Sequence, residues 1–341
     1  MNTPPARLFM YHAWASLLLW LLIVILPAQT YAQVYQLAEL NTEQIRALDH
    51  ERTVVLLPGG ILEEHGPYLP SFADGYYNEY LTDELAKAIA DRPGWAAVVF
   101  PTIPLGSGGA NEIGHKYAFP GTYAVRPATL RAVFMDLASE FGDQGFRWIF
   151  VIHAHGSPDH NRALDEAGDY FRDIYGGHMV HLSGLLVETK SDSLVQAAIG
   201  NEGVAANGFT VHAGVGEHST VWYLRPDLVP PDIMEARPVT AQDVLELVPL
   251  AEAEDWPGYF GSPRHASAEL GEQLLQESIS ARVKLALSIL DGLDEREIPR
   301  YADFMYQISE INGIMERSRA HDTKRELQQK EWLERQHQAR K

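Results

Sequence analysis

The chain has 341 residues, 46% hydrophobic and 21% charged, enough for one large core with appendages. Its formal net charge of −19 argues against nucleic acid or an anionic membrane surface as a partner. It has no cysteine, which excludes disulfides, thiolate metal sites and a cysteine nucleophile, so that any metal must be held by histidine and carboxylate.

In chain order, Arg7 is the one charged residue before the uncharged run Ala13 to Leu26, which Pro27 breaks and Thr30-Tyr31-Ala32 follows. That pattern predicts a cleaved signal peptide over 1–32, an exported, periplasmic domain and no stable membrane span after cleavage. Leu37 to Leu48 reads as a short amphipathic lead-in. Thr53 to Leu57 is an apolar strand, stopped by Pro58-Gly59-Gly60. Glu63, Glu64, His65 and Asp74 follow, four groups able to bind a cation on a loop leaving a buried strand, where α/β sheets usually place ligands. Pro67 and Pro70 stiffen the path between them by fixing φ.

Tyr76 to Asp91 has helical spacing at Leu81, Leu85, Ala88 and Ile89. Ala96 to Phe100 is a second strand, and residues 101–123 form a loop long enough to be functional. Pro127 to Phe141 is a helix opened by proline, and Trp148 to Ile152 is a third strand running into His153-Ala154-His155-Gly156. Ala163 to Tyr175 is helical, which leaves His160 as an exposed residue at a helix start. Met179 to Ser183 is a strand and Leu186 to Ala198 a helix. Gly208 to Val211 leads into His212-Ala213-Gly214-Val215-Gly216-Glu217, whose small residues let backbone approach a ligand closely, before a helix ending at Leu224. A last long helix reaches about Gly292, and 296–341 reads as a charged helical extension ending in a solvated, partly disordered tail.

The first loop resembles the creatininase (creatinine amidohydrolase) family, whose strand is followed by Gly-x-x-Glu-x-His-Gly-Pro-x-Leu-Pro-x-x-x-Asp. Gly60, Glu63, His65, Gly66, Pro67, Leu69, Pro70 and Asp74 fall on it. Phe119-Pro120-Gly121-Thr122, with His115 just before, resembles the family's substrate-side loop. His155 aligns with the metal-binding histidine of Asn-Gly-His-Gly, with His153 in place of the asparagine. Ser157 stands where creatininase itself has a metal-binding glutamate; Asp159 or His160 is a candidate replacement, and Asn161 takes a later asparagine's role. The segment from His212 to Ser219 matches His-Ala-Gly-x-x-Glu-Thr-Ser except at His218, and Gly261, Pro263, Ala266, Ser267, Glu269 and Gly271 fill the family's closing pattern.

The resemblance covers roughly residues 40–292. It implies a three-layer α/β/α domain over 33–295 with a mainly parallel sheet. It also implies two divalent ions, Zn²⁺ or Mn²⁺ with Fe²⁺ as a further option, held by Glu63, His65, Asp74 and His155, with Asp74 bridging. His212 is then the proton shuttle, and Glu217 either orients it or completes the second metal's shell. His115 and Asp159 are placed on the substrate side. The expected function is a metal-dependent amidohydrolase cleaving a non-peptide C–N bond of a small-molecule amide, cyclic or formamide, and a homo-oligomer is expected. The competing readings are a non-catalytic exported binding or scaffold protein on a degenerate creatininase fold, and a peptidase or lactonase on the same scaffold.

Overall fold

The computed structural model describes residues 33–340, so the expected signal peptide lies outside the described residues. Five parallel strands make one sheet: β1 Gln33–Gln36, β2 Thr53–Pro58, β3 Ala96–Val99, β4 Trp148–Ile152 and β5 His178–His181, in the order β1-β3-β2-β4-β5. Among the described residues ten α-helices accompany them: α1 Thr42–Arg46, α2 Ala73–Ala90, α3 Pro127–Asp143, α4 Pro158–Tyr175, α5 Ser191–Asn207, α6 Val215–Leu224, α7 Val244–Glu252, α8 Ala268–Leu290, α9 Tyr301–Met305 and α10 Ser309–Ala339.

The three-layer arrangement follows from side-chain alternation along fully buried strands. Val54 and Leu56 of β2 pack with Leu81, Leu85 and Ile89 of α2 and with Leu275, Ile279 and Ile289 of α8. Val55 and Leu57 face the other way, onto Leu130, Phe134 and Phe141 of α3 and Leu164, Ala167 and Phe171 of α4. Burying each of these large side chains contributes about 1.5–3 kcal/mol. A strand with both faces buried has no polar phase, which is why β2 and β4 are legible as continuous apolar runs.

Two elements differ from expectation. Strand β1 was not expected: it is short, polar and mostly exposed, and it pairs only with β3 at the sheet edge. Helix α4 starts at Pro158, five residues earlier than its apolar spacing suggests, because proline is accommodated at a first helical position. His160 is therefore inside the helix and fully buried rather than exposed. The first part of the extension after residue 296 packs onto the domain. Arg300 grips Asp169 of α4 with two bonds of 2.7 and 2.8 Å, and Ile311, Ile314 and Met315 of α10 are buried against Val244 and Val248 of α7. Among the described residues no helix is long and apolar enough to cross a membrane.

The ends of β2 and β4 lie side by side, with Pro58 opposite Ile152 and Gly59 N–H donating to the Ile152 carbonyl at 3.1 Å. Asn78 of α2, fully buried, clamps both exits: its amide donates to the Gly59 carbonyl at 2.8 Å and its oxygen accepts from Ala154 N–H at 2.9 Å. A Cβ on Gly59 would overlap both the His153 ring and the Ile103 carbonyl. Gly59→Ala is expected to cost about 1–3 kcal/mol or more in urea unfolding. Adding His153→Ala should not restore wild-type stability, since the Ile103 backbone cannot retreat; full restoration would contradict this account of the strand exit.

Candidate metal centre

The loop after β2 is closed on itself by Glu63 N–H donating to the Ser71 carbonyl at 2.8 Å, which holds Glu63 and His65 over the start of α2. Asp74 lies in the first turn of that helix, where the helix dipole favours a carboxylate by about 0.3–1 kcal/mol. The loop after β4 brings in His155. His212 and Glu217 come from the turn into α6, not from a strand end, through a left-handed Ala213 whose N–H donates to the Glu217 carboxylate.

Glu63, His65, Asp74 and His155 converge, and Glu217 and His212 join them. Three groups of side chains each place their ligand atoms within 4.8 Å of one another: Glu63, Asp74 and His155; His65, Asp74 and Glu217; and Glu63, His65 and His212. The first two groups share Asp74 alone. Its two oxygens are divided between them, Oδ2 lying 3.0 Å from His155 Nδ1 and Oδ1 3.6 Å from His65 Nε2. Glu63 Oε2 is 3.2 Å from His155 Nδ1, while Glu63 Oε1 accepts from Ala110 N–H at 2.6 Å and lies 3.6 Å from His212 Nδ1.

Each histidine is oriented by a backbone carbonyl. His65 Nδ1–H donates to Glu63 O at 3.0 Å, His155 Nε2–H to Gly108 O at 2.9 Å and His212 Nε2–H to Glu64 O at 2.5 Å. A carbonyl only accepts, so the outer nitrogen carries the proton and the inner one faces the carboxylates, the arrangement that a metal-ligating imidazole needs. Asn161 supports it from behind, donating to the carbonyls of His155 and Ser157 at 2.8 Å each.

The electrostatics call for positive charge. Burial would raise Glu63 and Asp74, but the neighbouring histidines hold both carboxyls below the usual range. Burial would lower His65 and His155, yet Asp74 and Glu63 hold His155 well above its usual value and His65 up at about 10. Glu63 Oε2 and His65 Nε2 are buried with no hydrogen-bond partner among the described residues. Two cations of the kind that accept mixed oxygen and imidazole donors fit this set. Behind it, burial pushes His153 down to about 3 and His160 well below its usual value, so both are neutral; Ser107 N–H donates to His160 Nδ1 at 3.2 Å.

Two candidates are not brought in. His115 pairs with Glu252 of α7 at 2.9 Å and does not line the cavity beside the centre. Asp159 turns its carboxylate away, to Tyr306 Oη and to Arg319, which donates to it at 2.8 and 3.1 Å. Neither Asp159 nor His160 belongs to any of the three groups, so neither replaces the glutamate missing at Ser157.

Glu112 was not singled out by its sequence, which offers no signal beyond its place in the long loop. It lines the cavity beside the centre, and burial pushes its carboxyl up to about 7. With a folded pKa above its unfolded value, the native chain binds more protons between pH about 4.5 and 7, and stability falls as pH rises through that window. Glu112→Gln should flatten this dependence, melting higher than wild type at pH 8 and not at pH 4.5; superimposable melting profiles against pH would refute the assignment.

Comparison with known proteins places this geometry among relatives. A family model described as creatininase, creatinine amidohydrolase, matches residues 38–286. The mycofactocin precursor peptide peptidase of Mycobacterium ulcerans (strain Agy99) is 23% identical over 263 residues, 73% of this chain and 90% of that protein. The protein of the same name from Mycolicibacterium smegmatis is 26% identical, over 71% and 87% of the two chains. A solved manganese form of creatininase superposes with a TM-score of 0.54 at 23% identity, covering 74% of this chain and 97% of that one. A second solved creatinine amidohydrolase gives 0.53 at 23% identity, over 73% and 95%.

Proposed function

The chain belongs to the creatininase family, and from that premise we propose that it hydrolyses an amide C–N bond at a centre of two divalent cations. The observation that carries this reading is the sharing of Asp74 between two three-residue groups. Glu63, Asp74 and His155 would hold one cation, and His65, Asp74 and Glu217 the other. Zn²⁺ and Mn²⁺ are the candidates, and a Mn form is among the solved creatininases. Such cations supply Lewis acidity toward the substrate carbonyl and acidify water at neutral pH.

The chain's own residues provide the rest. Asp74 holds the two sites in fixed relation. The carbonyls of Glu63 and Gly108 fix the His65 and His155 rings, so their inner nitrogens are oriented before substrate arrives. His212 keeps its Nε2 proton on the Glu64 carbonyl, which leaves an Nδ1 lone pair beside Glu63. From there His212 accepts a proton from the attacking water and returns it to the departing nitrogen. Of the two roles open to Glu217, its grouping with His65 and Asp74 favours completing the second site.

The bond's surroundings are less constrained. Cyclic amides and formamides are the expectation from the family resemblance, whereas the two curated relatives are named peptidases, so short peptides belong beside them in any assay. Export rests on the N-terminal sequence pattern.

Metal analysis of full-length protein reconstituted with Mn²⁺ or Zn²⁺ tests the reading. Two ions per chain are expected in wild type, with Asp74→Ala losing both and Glu217→Gln losing one. His212→Ala should keep its metal while kcat on the amide panel falls by about 10²–10⁴, the contribution typical of a positioned acid–base group. Wild type that takes up no metal would instead favour the non-catalytic binding-protein reading.

A further inference from the structure

The family match ends at residue 286, and α9 and α10 lie beyond it. These helices nonetheless border the centre. One cavity has Glu63, His155 and Glu217 on one wall and Met305, Ile311, Ile314 and Met315 on the other. Leu247 and Val244 of α7 continue the apolar side. A second cavity also reaches His155 and Glu217, and its lining is mixed, with Asn161, Ser191 and Arg282 beside Val195, Val221 and Leu274. The centre therefore lies where two cavities meet, and the stretch of four isoleucines and methionines from α9 and α10 belongs to the first.

The apolar wall is held in place. Tyr301 Oη donates to the Gly156 carbonyl at 2.9 Å, next to His155. Tyr306 and Arg319 both bond Asp159 in the first turn of α4, and the Arg162 guanidinium stacks on Tyr306 at 3.6 Å. Further along α10, His321 stacks on Tyr117 with ring centroids 4.1 Å apart, and Arg126 pairs with Glu326 at 2.8 Å. Asp159, the loop bearing Tyr117 and the start of α3 thus anchor one helix at three points. The side that α10 turns toward the centre carries isoleucine and methionine, although most of its other residues are charged or polar.

Resting on the amide-hydrolase reading above, we infer that the segment Tyr301 to Met315 is the substrate-selecting wall of the active site, and that the substrate is an amide or peptide with an apolar group beside the scissile bond. A flexible methionine beside branched isoleucines suits an alkyl or aromatic side chain of variable shape. The second cavity, with Asn161, Ser191 and Arg282 in its mixed lining, would take the other end of the substrate. A small, uniformly polar cyclic amide would leave the apolar wall unused.

The test uses full-length, metal-reconstituted protein and two hydroxamates that chelate through the same head, acetohydroxamate and hexanohydroxamate, with affinities read by calorimetry. Burying methylenes at about 0.8 kcal/mol each sets an upper limit near 200-fold for the four extra groups, and partial burial should still give at least about tenfold tighter binding of the longer compound. In Ile314→Asn, and in the near-isosteric Met315→Gln that guards against misfolding, the advantage should drop below about threefold with acetohydroxamate affinity unchanged. Phe304→Ser, at a position 52% exposed and outside the cavity, should keep the full advantage. Equal affinity of the two compounds for wild type, or an advantage untouched in both wall variants, overturns the wall assignment alone. Failure of acetohydroxamate itself to bind overturns the metal-centre reading and the wall assignment with it.

Discussion

The site depends on one buried clamp, the Asn78 amide bridging the ends of β2 and β4. Parallel strands in register end at the same sheet edge, so Pro58 opposite Ile152 delivers the Glu63–His65 loop and His155 to one place. Asn78 adds directional bonds at that edge, to a carbonyl of one exit and an N–H of the other. Both groups would otherwise be buried without partners, a cost of about 1–3 kcal/mol each. Asp74 precedes Asn78 by one helical turn, so the residue that clamps the strands also sets the height of the shared carboxylate.

Around that frame the charge pattern is self-consistent. Carboxylates stand in the first turns of α2 and α6, where helix N-termini favour them. Three imidazoles face them, each turned by a backbone carbonyl. Glu217, sixty residues beyond Ser157, groups with His65 and Asp74.

The long loop 101–123 and the C-terminal extension complete the enclosure by different physics. The loop contributes polar groups: Ala110 N–H and Gly108 O from its backbone and the Thr122 hydroxyl, which accepts from Glu64 N–H. The extension contributes apolar surface, and ion pairs and ring stacks at its flanks hold it there. Asp159 illustrates how a side chain changes meaning with context. Beside a histidine motif it reads as a ligand, whereas in the folded chain its partners are Arg319 and Tyr306, drawn from the last forty residues.

What the amino-acid sequence determined by itself is what depends on neighbours along the chain. The apolar runs of β2 and β4, the proline-stiffened path from Glu63 to Asp74 and the helical spacing of α2 and α3 are local properties, and they survive reading one residue at a time. Even so, His160 was misread, because its helix begins at a proline that precedes the apolar spacing. Tertiary structure alone decided that Glu217 groups with His65 and Asp74, that Asp159 anchors a helix, that His115 pairs with Glu252 on the surface, and that a charged C-terminal segment lends its few apolar residues to the cavity. Each of these depends on the distance between groups far apart in sequence, and burial against a partner element, not the residue's own chemistry, settles that distance.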